Sequence, residues 1–353
     1  MKIIIDIGHP KDVNVFKNVI FSLENHGHEI KIVGRAKENI KKILEEYGFR
    51  FEFGPHYKNI IGKAFGIVHK DLWLYDIARK YKPDIFISLG SPYAAHVSRL
   101  LGKPHLAYID TEIAVPAIKL MLPFTNKIYT SSSFYTDLGP KQERFNGYYE
   151  LAYLHPKYFK PNPEIPKKYG LDEYIILRLS ALAAHHDINA TGLNFKTEED
   201  LREYVNQLEK YGKVIISSET TQWQTIRDHQ LKINPKNLHD LISYSSLCIG
   251  EGATMASEAA ILGVPSIYVS STQRGYLNEL EQNYGLVYTL QKRDEGLQKA
   301  IEILEDKSSK NAWHLKRDKM LSEKVDVVEF MVETIENMNK LDSNISLKIL
   351  PNM

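Results

Sequence analysis

The chain has 353 residues, 43% of them hydrophobic, enough to bury two cores of roughly 150 residues each. Lys and Arg total 45 against 44 Asp and Glu, and no nucleic-acid-binding motif stands out, so neither DNA nor RNA is an expected partner. A single cysteine, Cys248, excludes an intramolecular disulfide and a thiolate zinc cluster, and with no cleavage-site pattern and no apolar run near the ~18 residues of a spanning helix, the expectation is a soluble, cytoplasmic protein.

Residues 2–7 form an apolar, β-branched run stopped by Gly8-His9-Pro10. Residues 13–25 carry helical spacing through Val15, Phe16, Val19, Ile20 and Leu23, and Gly27 precedes a second apolar run at 29–33. This predicts the strand, helix and strand that open a doubly wound sheet. No G-x-G-x-x-G follows the first strand, so NAD is not the expected ligand. The Gly8-His9 turn falls at the carboxyl end of that strand, where open α/β sheets bind ligands. An imidazole ordinarily titrates near neutrality, so His9 is a candidate base on an acceptor hydroxyl; its other reading is a cap on the following helix.

Residues 38–47 read as a solvated amphipathic helix and 51–53 as a short strand, whereas 59–70 mix glycine, lysine and apolar residues without a clean period. A helix at 72–81, a strand at 84–89, the turn Gly90-Ser91-Pro92, a helix at 93–101 and a strand at 104–109 lead to Asp110-Thr111-Glu112. Asp110 and Glu112 come out at the carboxyl edge of the sheet, where paired carboxylates take a proton or bind a cation, or else cap the next helix. Residues 114–124 are apolar around Lys119: a buried helix, or an interfacial one making transient contact with a membrane surface. After a strand at 127–130, the Pro- and Lys-rich stretch 157–170 is the best linker.

The second half opens with a strand at 174–179 carrying Arg178, whose planar fork suits phosphate, and a polar loop at 180–187 with His185, His186 and Asp187. Neighbours on an extended backbone point oppositely, so the His-His-Asp run is not a metal site and no metal is expected. A helix at 198–211 and a strand at 213–217 exit through Ser218-Glu219-Thr220, and a helix at 237–244 follows.

Residues 246–269 then read as strand, glycine loop at Gly250 and Gly252, Ala-rich helix at 254–262, Gly263, and strand. Glycines let the backbone approach a ligand, and the free N–H groups and positive dipole end of a helix start favour phosphate. Thr254 adds a hydroxyl there. Glu258 lies four residues on and leans back along the same face, where a carboxylate suits two vicinal ribose hydroxyls. A glycine turn with a solvated Glu is the plainer reading. The loop at 270–276, with Gln273 and Arg274, would cover the base or sugar, and helices at 294–305 and 311–337 close the pattern.

Gly252-Ala253-Thr254, Glu258-Ala259-Ala260 and Leu262-Gly263-Val264-Pro265-Ser266 resemble the donor-binding motif of GT-B glycosyltransferases, such as those that add N-acetylglucosamine to peptidoglycan lipid. The resemblance implies that Glu258 holds the ribose diol of a uridine nucleotide. Glu251 departs from the pattern and sets an extra negative charge beside the phosphate site, which calls for a compensating cation or weakens the site for a diphosphate. The order from residue 84 to Glu112 also resembles the N-terminal domain of nucleotide-sugar 2-epimerases. Asp6-Ile7-Gly8-His9-Pro10 and residues 147–154 are similar, along nearly the whole chain, to a largely archaeal family of GT-B-like proteins without an assigned function.

These resemblances imply an α/β GT-B fold, two Rossmann-like parallel-sheet domains facing a central cleft. An acceptor domain at 1–156, a linker at 157–172, a nucleotide-sugar domain at 173–310, a helix at 311–339 crossing back and a tail at 340–353 are expected, with 59–70 as a mobile acceptor loop. They further imply a transferase that moves a sugar from a UDP-sugar to an unknown acceptor hydroxyl, with no other cofactor. Gly8, Arg178, His185, His186, Asp187, Glu219, Gly252, Ala253, Thr254, Glu258, Gln273 and Arg274 would bind the donor, and His9, Asp110 and Glu112 would be catalytic. One alternative is a 2-epimerase, although the first turn lacks that family's arginine and Gly90-Ser91-Pro92 its aspartate. The other is a non-catalytic module that binds a nucleotide sugar.

Overall fold

The computed structural model describes residues 1–35, 38–54, 60–180, 192–218 and 222–347. The chain divides into two compact units, Met1–Tyr153 with Val325–Met353, and Leu154–Lys324. Unit 1 contains β1 (Lys2–Ile7), α1 (Pro10–Asn25), β2 (Glu29–Arg35), α2 (Glu38–Glu46), β3 (Phe51–Gly54), α3 (Ile60–Tyr81), β4 (Ile85–Ser88), α4 (Pro92–Leu100), β5 (His105–Ile109), α5 (Val115–Met121), β6 (Lys127–Ser131) and β7 (Gln142–Phe145), with α6 (Leu151–Leu154) at its boundary. Unit 2 contains α7 (Glu164–Lys168), β8 (Tyr174–Leu179), α8 (Glu198–Glu209), β9 (Lys213–Ser218), α9 (Gln224–His229), α10 (Leu238–Tyr244), β10 (Leu247–Gly250), α11 (Ala253–Leu262), β11 (Ser266–Val269), α12 (Gly275–Gln282), β12 (Val287–Leu290), α13 (Arg293–Glu305) and α14 (Ser309–Glu323). A final helix, α15 (Val327–Leu347), belongs to unit 1.

In unit 1 the described strands pair in parallel in the order β3-β2-β1-β4-β5-β6-β7. Ile3, Ile4, Ile5 and Ile7 of the central β1 are all fully buried, as a strand covered on both faces requires. From β1 the chain runs outward through β2 and β3, then returns to the other side of β1 as β4. The carboxyl ends of β1 and β4 therefore form a topological switch point, where such sheets bind ligands. Unit 2 has the order β12-β11-β10-β8-β9, and its switch point lies between β8 and β10.

Three elements differ from the sequence expectation, each for a physical reason. Residues 60–70 belong to α3, whose buried stripe is Gly66, Lys70, Leu74 and Ala78; a glycine and a lysine in the stripe hide its four-residue spacing from a count of apolar residues. Strand β7 is an edge strand with only Phe145 buried, so its sequence carries no alternation to detect. The long helix expected at 311–337 is broken, because Asp326 caps a new start, its carboxylate accepting from the N–H groups of Val328 (3.0 Å) and Glu329 (3.2 Å).

Helix α15 packs along α1. The Tyr108 hydroxyl meets Thr334 Oγ1 at 2.8 Å, and Phe330 stacks on Phe145. In α5, Ile118 and Met121 face the core while Val115, Leu120 and the following Phe124 are exposed, so the apolar stretch at 114–124 is only half absorbed by packing. In unit 2 the Pro- and Lys-rich stretch is tied down: the Asn162 N–H donates to Asp240 (2.7 Å), and the Tyr244 hydroxyl to the Pro161 carbonyl (3.2 Å). No helix among the described residues is long and apolar enough to cross a membrane.

His105, fully buried on β5, lies 3.0 Å from Ser88 Oγ and 3.0 Å from Thr125 Oγ1, and burial pulls its pKa down to about 3. An unfolded imidazole takes a proton near pH ~6.5 that the native one refuses, so stability falls as pH drops from that value toward about 3. Urea unfolding at pH 7 and pH 5 is expected to show wild type losing about 2 kcal/mol more than His105→Asn between the two conditions. Equal losses would contradict a neutral buried imidazole.

Candidate functional site

The switch point of unit 2 is built by a close backbone approach. Gly250 of β10 pairs with Arg178 of β8, and a Cβ at Gly250, where φ is +154°, would collide with the Arg178 carbonyl oxygen. Two residues on, Gly252 occupies the N-cap of α11, and among the described residues no side chain caps the first turn. A Cβ at Gly252 would lie 2.9 Å from Arg178 Cγ and 3.5 Å from Nε, so the arginine lies directly over the glycine and its guanidinium sits beside the helix start. Arg178 Nη1 also donates to Ser217 Oγ at 3.1 Å. Ala253 and Thr254 are half-buried in that first turn, and Gly263 ends the helix in the left-handed conformation, φ 78°. The arrangement brings first-turn N–H groups with no side-chain cap among the described residues, the positive end of a helix dipole and a guanidinium to one point, which is the chemistry that holds an anion.

Glu251, which the sequence places as a stray negative charge, is engaged elsewhere. Its carboxylate accepts from the N–H groups of Ser180 (3.0 Å) and Leu193 (2.8 Å), and so ties the two flanks of residues 181–191 together. Burial raises its pKa against the pull of those donors. Glu258 is buried one turn into α11, with Oε1 3.1 Å from Nε2 of His239 on α10, itself buried. His239 is a residue that sequence reasoning missed, since nothing in residues 237–244 links it to a carboxylate on another helix. Burial, reinforced by the charge of Glu258, pushes the Cys248 thiol up to about 12, which leaves it an inert core residue. Arg274 is buried and donates to the Gln273 carbonyl (2.9 Å), while Gln273 is exposed. His185, His186, Asp187 and Glu219 lie outside the described residues.

At the switch point of unit 1, His9 is the N-cap of α1. Its Nδ1 accepts from the Lys11 N–H at 3.2 Å, and Asp12 Oδ2 accepts from the N–H groups of Gly8 (2.7 Å) and His9 (3.0 Å). The cap leaves the imidazole exposed. Burial pushes the Asp12 carboxyl up to about 7. Lys11 turns inward, its Nζ 2.7 Å from Asp110 Oδ2 and 2.9 Å from Glu150 Oε1. Burial alone would raise the Asp110 carboxyl, but the charge and hydrogen bond of Lys11 bring it below the ordinary value.

The sequence pairs Asp110 with Glu112, and the structure separates them. Strand β5 ends at Ile109, so the rule that residues two apart share a face does not carry past it. Glu112 is buried and accepts from the Tyr135 N–H (3.3 Å), whereas Asp110 joins Lys11 and Glu150. Gly8 makes room for a side chain: a Cβ there would come within 2.8 Å of Arg35 Nη2, from the end of β2. An arginine thus reaches the first turn although none follows β1 in sequence. No group of three or more metal-ligating side chains occurs among the described residues.

A family model described as "Protein of unknown function (DUF354)" matches residues 1–340. The chain belongs to the DUF354 family. An uncharacterised protein of Methanocaldococcus jannaschii is 26% identical to it over 285 residues, 74% of this chain and 80% of that protein. Among solved structures, the UDP-GlcNAc 2-epimerase of Neisseria meningitidis bound to UDP-GlcNAc superposes with a TM-score of 0.70 at 12% identity, covering 96% of the DUF354 chain and 100% of its own. The glycosyltransferase VinC in complex with dTDP superposes with a TM-score of 0.63 at 13% identity, covering 95% and 99%. The DUF354 chain has the α/β architecture of these proteins, the GT-B fold with its two parallel-sheet domains.

Replacing Lys11 by Met would leave the buried Glu150 and the half-buried Asp110 without the cation they share. Removing one member of a buried ion cluster costs about 3–5 kcal/mol. Chemical denaturation of Lys11→Met is expected to show a loss of that size, and a loss below ~1 kcal/mol would mean that solvent already screens the cluster.

Proposed function

We propose that this DUF354 protein is a glycosyltransferase-like enzyme that moves a sugar from a nucleoside diphosphate donor, a UDP-sugar, to an acceptor hydroxyl. The observation that carries the reading is the start of α11, where an uncapped first turn and the Arg178 guanidinium converge on one point. The donor's diphosphate would sit there, gaining from the backbone N–H groups, the helix dipole and charge-assisted bonds to the arginine fork. Thr254 adds its hydroxyl, and Glu258, oriented by His239, receives the ribose hydroxyls. That two GT-B neighbours hold UDP-GlcNAc and dTDP supports a nucleoside diphosphate, and the Glu258 motif supports uridine.

Unit 1 supplies the acceptor chemistry in this reading. Asp110, held ionised by Lys11, is a poor base, because a carboxylate of low pKa has little drive to take a proton. The exposed His9 imidazole takes the acceptor's proton, and the negative charge of Asp110 stabilises the imidazolium that forms. Glu112, occupied with the Tyr135 backbone, shapes the loop instead. A second reading, the 2-epimerase, is favoured by one feature: Arg35 lies over the Gly8 turn, where sequence alone finds no arginine.

Calorimetry separates the donor claim from the reaction. UDP is expected to bind wild type, and Arg178→Gln and Glu258→Ala are each expected to weaken binding at least about tenfold, or ~1.4 kcal/mol. Wild type that does not bind UDP would sink the donor site. Incubating UDP-sugars with enzyme alone in D2O then decides the reaction: the transferase leaves the sugar's C2 proton in place, and deuterium at C2 would establish the epimerase.

A further inference from the structure

Three helices of unit 1, α3, α4 and α5, meet at His96, and the function proposed above makes no use of that contact. The imidazole comes from the middle of α4 and is mostly buried, with 16% of its side chain exposed against 19% for Asp71 of α3. Its Nδ1 lies 2.9 Å from Asp71 Oδ2, and its Nε2 lies 3.2 Å from the backbone carbonyl oxygen of Leu120 in α5. The ring of Phe124 meets it edge-on, with centroids 4.9 Å apart.

A backbone carbonyl only accepts, and so does an ionised carboxylate. A neutral imidazole has one N–H and satisfies one of these two neighbours. Both contacts are hydrogen bonds only when the Asp71–His96 pair holds one proton more than a carboxylate and a neutral ring carry between them. The surroundings favour that proton. Burial, with the charge of Asp6 behind it, raises the Asp71 carboxyl against the pull of His96. The carbonyls at the carboxyl end of α5 form the negative end of a helix, where cations are favoured: Lys141 Nζ donates to those of Leu122 (3.0 Å) and Pro123 (3.2 Å), and His96 to that of Leu120. The other titratable or charged groups around the pair are His105 on β5, which feels the charge of His96, Tyr93 on α4, whose hydroxyl burial keeps protonated, Arg35 and Lys70 beside Asp6, and the exposed Lys119 next to Leu120.

We propose that Asp71, His96 and the carboxyl end of α5 form a proton-dependent clasp, closed while the pair holds its extra proton and open once that proton leaves. A neutral ring keeps its bond to the charged carboxylate, the stronger acceptor, and gives up Leu120, so the tie between α4 and α5 is the one that breaks. Helix α5 begins at Val115, directly after the loop that carries Asp110 and Glu112, and its exposed edge is Val115, Leu120 and the following Phe124. The clasp therefore couples pH to the position of that loop and of that apolar edge. The unfolded chain gives up the imidazole proton near pH ~6.5, whereas the closed clasp retains one, so its stabilisation is complete below that pH and is lost as pH rises above it. The clasp does not depend on the transferase reading.

Hydrogen–deuterium exchange of the full chain at pH 6 and pH 8.5, corrected for the intrinsic exchange rate at each pH, tests the clasp in wild type, Asp71→Asn and His96→Leu. A carboxamide at position 71 donates to Nδ1, so a neutral ring in Asp71→Asn makes both bonds and the clasp stays closed without an extra proton. Wild type is expected to lose protection of α5 at least about tenfold between pH 6 and pH 8.5, with α11 of unit 2 unchanged as the reference. Asp71→Asn is expected to keep its pH 6 protection at pH 8.5, and His96→Leu to exchange fast in α5 at both. Equal protection of α5 at the two pH values in wild type would overturn the clasp, and so would the same fall in Asp71→Asn. Thermal melting reports whether each variant is folded; should His96→Leu fail to fold, the contrast between wild type and Asp71→Asn decides alone.

Discussion

Where β10 passes β8, a Cβ at Gly250 would strike the Arg178 carbonyl oxygen, and that contact decides what the second unit can do. Because the two backbones meet without a side chain between them, α11 begins directly beside Arg178, and Gly252 allows the arginine stem to lie over the helix start. Every later feature of the site depends on this. An uncapped helix start is an electrostatic opportunity, but only a guanidinium at the same point turns it into a selective anion site. Glu251 would spoil that balance if it faced the same way. Its hydrogen bonds to Ser180 and Leu193 turn the charge toward the neighbouring backbone, so the compensation that the sequence calls for is supplied by N–H groups rather than by a cation.

The first unit solves a different problem. It gathers Asp6, Asp12, Asp110 and Glu150 around one end of β1, a concentration of acids that would repel itself if all were ionised. Lys11 neutralises two of them, helix-start N–H groups hold Asp12, and Ser91 engages Asp6. The groups divide by protonation: Asp110 stays charged next to Lys11, whereas Asp12 is pushed toward neutrality by burial. Titratable groups driven apart in this way around a switch point are the usual mark of acid and base chemistry.

Much of this was legible in the residues. Most strands are apolar runs with a glycine close to one end, so β1, β4, β5, β8 and β11 announce themselves, and residues 247–263 specify a strand, a helix and a helix stop by local rules alone. The proposed anion site is legible for the same reason, being made almost entirely from contiguous backbone plus one arginine. What escaped is what depends on distance in the chain. Lys11 meets Glu150 across 139 residues, Glu258 meets His239 on another helix, and Arg35 reaches Gly8 only because β1 and β2 are paired in register. Lys70 escaped for another reason, since a lysine inside a buried stripe reads as a surface residue when apolar spacing is the only guide.

The most direct measurement is a crystal structure of the protein with UDP bound. The account predicts diphosphate oxygens within hydrogen-bonding distance of the first-turn N–H groups of α11 and of the Arg178 guanidinium, with the ribose hydroxyls on Glu258. A nucleotide bound elsewhere, with the start of α11 holding only water, would contradict it.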